Sequence, residues 1–419
     1  MNRWDIFCRV VDNYGDIGVC WRLSRQLTEE QGVSVRLWVD RLDAFAVMCP
    51  TVRPGVPQQV IDGIEICSWV EKFPATEPAD VVIEAFACEI PESYRAAMAK
   101  RLSAGPQVPP VWINLEYLSA EEWVDGCHGL ASPGSETSLR KFFYFPGFTS
   151  DTGGLLRERG LLRARDAFRQ QGIRAFWGRE RFRLPSTPRK DIAGRASSGT
   201  LKSHPLGSAG REDARELRVS LFCYENPVLP ALLECWAAAP VDIRLLVAPG
   251  WPARQVAAWC GAPLELGDFV RRGALTIQAL PFLPQAEYDE LLWACDVNFV
   301  RGEDSFVRAQ WAARPFVWQI YPQTEGTHLV KMEAFLKRYL TGFPQGEAIS
   351  DLWQLWNEAA AEESSRDSKD LAIAWKNFVS RRTEIDQHGR EWAERLDRTG
   401  DLANNLAEFV MKRRAGVSP

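Results

Sequence analysis

No run of 18 apolar residues occurs anywhere in the 419-residue chain, so no membrane-spanning helix is expected. A basic excess is missing too: 50 Lys and Arg stand against 55 Asp and Glu, a formal charge of −5, which removes the footprint a general nucleic-acid binder needs. The ten cysteines contain no CxxC pair and have no histidines at metal-site spacing, so no metal is expected. They read as reduced, mostly buried thiols of a cytoplasmic protein. The apolar run "WDIFCRVV" begins almost at once, with no basic leader or signal segment ahead of it, in keeping with that location. Absent as well are GxGxxG and the P-loop lysine, the two commonest nucleotide loops.

What is present is a globular composition, 46% hydrophobic and 25% charged, in a chain longer than one core usually organises, so two domains are expected. Seventeen tryptophans exceed ordinary usage, and composition does not separate core fillers from residues of a ligand surface. "WDIFCRVV", a loop, "VCWRLSRQLTEEQG" and "VSVRLWVD" read as strand, helix and parallel strand, with Gly32 ending the helix. "GIEICSW", "ADVVIEAF" and "VPPVWINL" are further strands, apolar throughout as strands covered on both faces should be. A second α/β rhythm runs from "LRVSLFCY" through "VDIRLLVAP", "ALTIQALPF" and "CDVNFVRG" to "PFVWQIY". The fold expected is α/β, two Rossmann-like domains facing across a cleft. Residues 1–155 form the first domain and 217–385 the second. Residues 156–216 form an interdomain helix and a polar, disordered insertion, and 386–419 a helical tail packing back on the first domain.

Two loops carry the chemistry. "DNYGDIGVCWRL" puts Asp12, Asp16, Gly15 and Gly18 at the carboxyl end of the first strand, where open α/β sheets bind ligands. "RGEDSFVRAQW" puts Arg301, Glu303, Asp304 and Ser305 between a strand and a helix, whose free backbone N–H groups can hold a diphosphate without a lysine-rich loop. By itself the second loop is read equally well as Asp304 or Ser305 capping a helix with Glu303 in water. The opposition of two such loops favours a nucleotide-sugar transferase of the two-Rossmann, GT-B type, independent of metal because no Asp-x-Asp cluster ends a strand.

Together with "FCYEN" and "LPFLPQAEYDELLW", these stretches resemble the bacterial protein-arginine rhamnosyltransferases that modify translation elongation factor P, over roughly residues 4–150 and 217–405. The resemblance implies an inverting, metal-independent transfer of L-rhamnose from dTDP-β-L-rhamnose to an arginine of that factor. It carries the paired aspartates onto Asp12 and Asp16 and the catalytic glutamate onto Glu303. It puts donor contacts at Phe222, Tyr224, Phe282, Gln285, Arg301, Asp304 and Ser305, with Asn13, Tyr14 and Gly15 completing the set from the first loop.

A guanidinium is neither neutral nor nucleophilic at pH 7, so the displacement needs a carboxylate to take a proton and another group to orient the fork of donors. Asp16 is assigned the first task and Asp12 the second, an order open to reversal. Glu303 is assigned to the sugar, stabilising oxocarbenium charge or fixing hydroxyls, and Phe282 to the thymine. Asp40, at the end of the second strand, reads as an ordinary surface acid. His328 reads equally as a donor contact or a packed helix-start residue. "FYFPGFTSDTGG", residues 143–154, reads as an acceptor-side or hinge loop. The competing functions are a sugar transferase with another acceptor and a non-enzymatic module binding a nucleotide or a translation protein.

Overall fold

The computed structural model describes residues 3–12, 14–103, 109–132, 139–183, 190–191, 216–267, 269–323, 326–358 and 368–416. Asn13 and most of the polar stretch expected to be disordered lie outside these residues.

The first sheet holds β1 (Arg3–Cys8), β2 (Ser34–Val39), β3 (Gln58–Ile61), β4 (Ile64–Ser68), β5 (Val81–Ala85), β6 (Val111–Leu115) and β7 (Lys141–Tyr144), in the order β3-β4-β2-β1-β5-β6-β7. All neighbours pair in parallel except the hairpin β3–β4. The central strands bury nearly every residue, as strands between two helical layers must. A polar pair lies within that layer: Arg36, opposite Asp5 in the β1–β2 register, donates to both oxygens of its carboxylate at 2.9 and 2.6 Å, and Tyr94 donates to the same carboxylate.

The second sheet repeats the plan with β8 (Lys190–Asp191), β9 (Leu217–Leu221), β10 (Ile243–Val247), β11 (Phe269–Arg272), β12 (Leu275–Ala279), β13 (Val297–Arg301) and β14 (Phe316–Gln319), ordered β14-β13-β9-β10-β12-β11-β8. β11 runs antiparallel to β12, and β8 pairs in parallel with β11. In each sheet the first strand of the unit, β1 or β9, has its next strand on one side and a later one on the other. The carboxyl ends of β1 and β5 and those of β9 and β13 are therefore the two topological switch points, where a crevice opens.

Two helices of the tail divide between the halves. Trp392 and Leu396 of the helix Arg382–Asp397 join the core of the second sheet, whereas Leu402, Leu406 and Val410 of the helix Leu402–Arg414 join the core of the first. The segment 143–154 begins inside β7 and then bridges the halves, Phe148 packing on Phe335 and Trp392. Trp4, Trp236, Trp311, Trp353 and Trp356 are fully buried in the cores, whereas Trp123 and Trp251 are exposed.

Candidate active site

Between the two switch points lies a cleft enclosing about 700 Å³ of space, part of it open to solvent. Its walls are largely apolar, and no tryptophan lines it. Phe222 comes from the end of β9, Leu280 to Leu283 from the turn after β12, and Arg301, Asp304 and Ser305 from the turn after β13. Asp12, Tyr14 and Gly15 come from the loop after β1. Of the expected donor set, then, Tyr14, Gly15, Phe222, Phe282, Gln285, Arg301, Asp304 and Ser305 all reach one cleft, and Tyr224 reaches it through Asp12. Met48, Ala248 and Pro249 also line it without any sequence signal of that role, and Tyr288 and Leu291 join them from the stretch "LPFLPQAEYDELLW".

Arg301 is the buried cation of this cleft. Its guanidinium lies 4.6 Å from the Phe222 ring centre and 4.3 Å from that of Tyr224, and Nη1 donates to Asp12 Oδ1 at 3.2 Å. Tyr224 Oη donates to Asp12 Oδ2 at 2.5 Å, so both oxygens of Asp12 are held from the opposite domain. Space around that carboxylate is tight enough to dictate two glycines. A Cβ on Gly15 would come within 2.6 Å of Asp12 Oδ2, and one on Gly302, at φ +60°, within 2.8 Å of both Asp12 Oδ2 and Tyr224 Oη. Phe282 meets Tyr14 edge to face at 4.9 Å, joining the two halves at the rim.

Asp16 sits behind Asp12, only 3% exposed. Its Oδ2 accepts from the backbone N–H groups of Val11 and Asp12 at 2.8 Å each, folding the loop over the first turn of the helix Gly15–Gln31. Its Oδ1 receives one long contact, 3.3 Å, from Tyr117 Oη. Burial pushes its carboxyl up to about 6, opposed by the backbone donors and reinforced by the charge of Asp12. Glu303 accepts from the N–H of Leu118 at 2.9 Å and borders a smaller recess with Leu118, Pro146 and Asp304. Burial, with Asp16 and Asp304 adding negative charge, pushes it up to about 8.

Several residues do something other than the sequence suggests. Asp304 and Ser305 provide no side-chain cap to the helix Asp304–Ala312. Asp304 accepts from Arg22 Nε at 2.8 Å across the domain boundary, and Ser305 closes a turn onto the carbonyl of Arg301 at 2.5 Å. Gln285 donates to the carbonyl of Gly18 at 3.1 Å, leaving its buried Oε1 without a partner among the described residues. Asp40 is no idle surface acid: it accepts from the N–H of Val10 at 2.9 Å and so braces the loop after β1. His328 is buried away from the cleft, accepting from the N–H of Gln323 at 3.3 Å.

Two Rossmann-like domains whose switch points face each other across a cleft have the architecture of a GT-B glycosyltransferase. Comparison with known proteins narrows the class. A model of the family described as Elongation-Factor P (EF-P) rhamnosyltransferase EarP matches residues 4–411. A protein-arginine rhamnosyltransferase of Pseudomonas putida is 46% identical over 409 residues, covering 97% of this chain and 98% of that protein. One of Shewanella oneidensis is 40% identical over 418 residues, covering 98% of both. A solved structure described as the structural basis for EarP-mediated arginine glycosylation of translation elongation factor EF-P aligns with a TM-score of 0.62 and 33% identity, over 98% of this chain and 99% of that one. The chain belongs to the EarP family of protein-arginine rhamnosyltransferases.

Proposed function

We propose that this chain transfers L-rhamnose from dTDP-β-L-rhamnose to an arginine side chain of translation elongation factor P, with inversion at the anomeric carbon and without a metal. The observation that carries the proposal is the single cleft in which the Phe282 rim, the Arg301 cation and the Asp12 carboxylate meet. A thymine suits the apolar wall at Phe282, and the diphosphate suits Arg301 and the free N–H groups opening the helix Asp304–Ala312. In the reaction the C1–O bond to the diphosphate breaks as a guanidinium nitrogen bonds to C1. The proton leaving that nitrogen passes to Asp16, whose elevated pKa suits a base working near neutrality. Asp12 orients the remaining N–H groups once the donor phosphates draw Arg301 away from it. Glu303, protonated before substrate arrives, fixes a rhamnose hydroxyl as a hydrogen-bond donor rather than facing the oxocarbenium as a carboxylate.

Mixing the chain with purified elongation factor P and dTDP-rhamnose is expected to add one deoxyhexose to the mass of the factor, at a rate unchanged by EDTA. An unmodified factor, with donor demonstrably bound, contradicts the acceptor assignment, and activity lost to EDTA and restored by Mg²⁺ contradicts the metal-free reading.

A further inference from the structure

The turn after β5 is strained beside Asp16. Phe86, Ala87 and Glu89 all adopt left-handed backbone, at φ +58°, +52° and +54°, where residues other than glycine are uncommon. The conformation is held from several directions: the N–H of Phe86 donates to the carbonyl of Leu115 at 2.7 Å, that of Ala87 to Asn114 Oδ1 at 3.1 Å, and that of Glu89 to Glu84 Oε1 at 3.0 Å. Its outcome is to lay the Phe86 ring flat on Tyr117, at 4.4 Å and 16°. Tyr117 extends from the end of β6 and stays 40% exposed while its hydroxyl touches Asp16 Oδ1. Phe86 is half-buried against the first core while the Tyr117 ring stays open to solvent, and burial, then the charge of Asp16, pushes the Tyr117 phenol up.

We propose that the Phe86–Tyr117 stack is the seat of the acceptor's guanidinium, a planar cation that stacks on aromatic surface while its N–H groups reach a carboxylate at the ring edge. The proposal rests on the transferase reading above and adds to it the positioning residues of the acceptor side. A guanidinium is delocalised and weakly hydrated, so it gains from a ring face as an ammonium does to a lesser degree. The stack therefore selects arginine over lysine, and the Tyr117 hydroxyl holds Asp16 Oδ1 until the incoming N–H replaces it.

The test compares Phe86→Leu, which keeps bulk and loses the ring, with Phe86→Tyr, which keeps the ring, and with Tyr117→Phe. Phe86→Leu is expected to raise the KM for elongation factor P by about tenfold, the upper part of the range for a stacked cation, with donor affinity by calorimetry unchanged. Phe86→Tyr restores the KM. Tyr117→Phe leaves the KM near that of the parent and moves the acid limb of the rate profile through Asp16. An unchanged KM in Phe86→Leu overturns the proposal, and so does a loss of donor affinity that keeps pace with the KM, which would mark a purely structural turn. Binding of the unmodified factor to donor-free protein gives the same ordering without any transfer. If the parent binds the factor in that order yet transfers nothing, the transferase reading fails and the stack stands.

Discussion

Asp12 and Asp16 are four residues apart and differ in what surrounds them. Asp12 faces the cleft and is held by two side chains of the opposite domain, whereas Asp16 is held by the backbone of its own loop. Folding raises the Asp16 pKa from 3.8 to about 6, so the folded state binds its proton more tightly than the unfolded chain does. The stability tied to this group is therefore greatest below about pH 4 and is lost as pH rises through 6, leaving a penalty of about 3 kcal/mol at neutral pH. Asp16→Asn, whose amide oxygen still accepts from Val11 and Asp12, is expected to melt higher than the parent at pH 8 while losing transfer. A lower melting temperature at that pH would show that the charge stabilises the loop. With the acid near 6 needed ionised and Glu303 near 8 needed protonated, kcat/KM is expected to be bell-shaped, falling below about pH 6 and above about pH 8. The two groups bear on each other, so the limbs belong to the pair. A flat profile from pH 5 to 9 would remove both assignments.

At the level of elements, the site is made where strands end. Turns after β1, β9 and β13 supply Asp12, Tyr224 and Gly302, and the left-handed glycine lets the backbone pass beside the carboxylate. Gly302→Ala is expected to displace Asp12 or Tyr224 and lower turnover by roughly 10²-fold, the scale of a small misplacement of reacting groups, with circular dichroism unchanged. Full turnover in that variant would show the close approach to be unimportant. These turns were legible in the sequence because apolar strands bracket short polar loops. The hairpin β3–β4 was less so: its Asp62–Gly63 turn is a hairpin signal, but Gln58–Ile61 is too polar to stand out as a strand. Phe86 and Tyr117 carried no local sign of a role, since topology alone brings the ends of β5 and β6 together at Asp16.

Across the whole molecule, the halves are joined by buried charge. Arg22 of the first domain forks onto Asp289 at 3.2 Å through both terminal nitrogens and reaches Asp304 and Glu158, while Arg308 grips Asp289 and Glu158 from the other side. Burial works against the Glu158 charge, yet the two arginines hold its carboxyl down at about 2. The contribution of Glu158 is thus present above about pH 4.5 and is lost as pH falls through 2. In sequence Arg22 is one cation on an amphipathic helix, and only the closing of two domains reveals its partners. Arg22→Met takes the side-chain partner from Asp304 and leaves Asp289 to Arg308 alone, a loss of a buried charge partner that typically costs about 3–5 kcal/mol. It is expected to lower the melting temperature and to weaken donor binding, because Asp304 then presents unpaired charge to the cleft. Unaltered donor affinity in that variant would place the network outside donor binding.

The division of labour between the domains is tested most directly by titrating dTDP-rhamnose calorimetrically against Asp16→Ala and Phe282→Ala while following the mass of elongation factor P. Asp16→Ala is expected to bind the donor near the parent affinity and to lose roughly 10²–10⁴-fold in transfer, the usual worth of a general base, whereas Phe282→Ala loses donor affinity first. Should Asp16→Ala keep full transfer and lose donor binding instead, the loop after β1 serves the nucleotide and the account is contradicted.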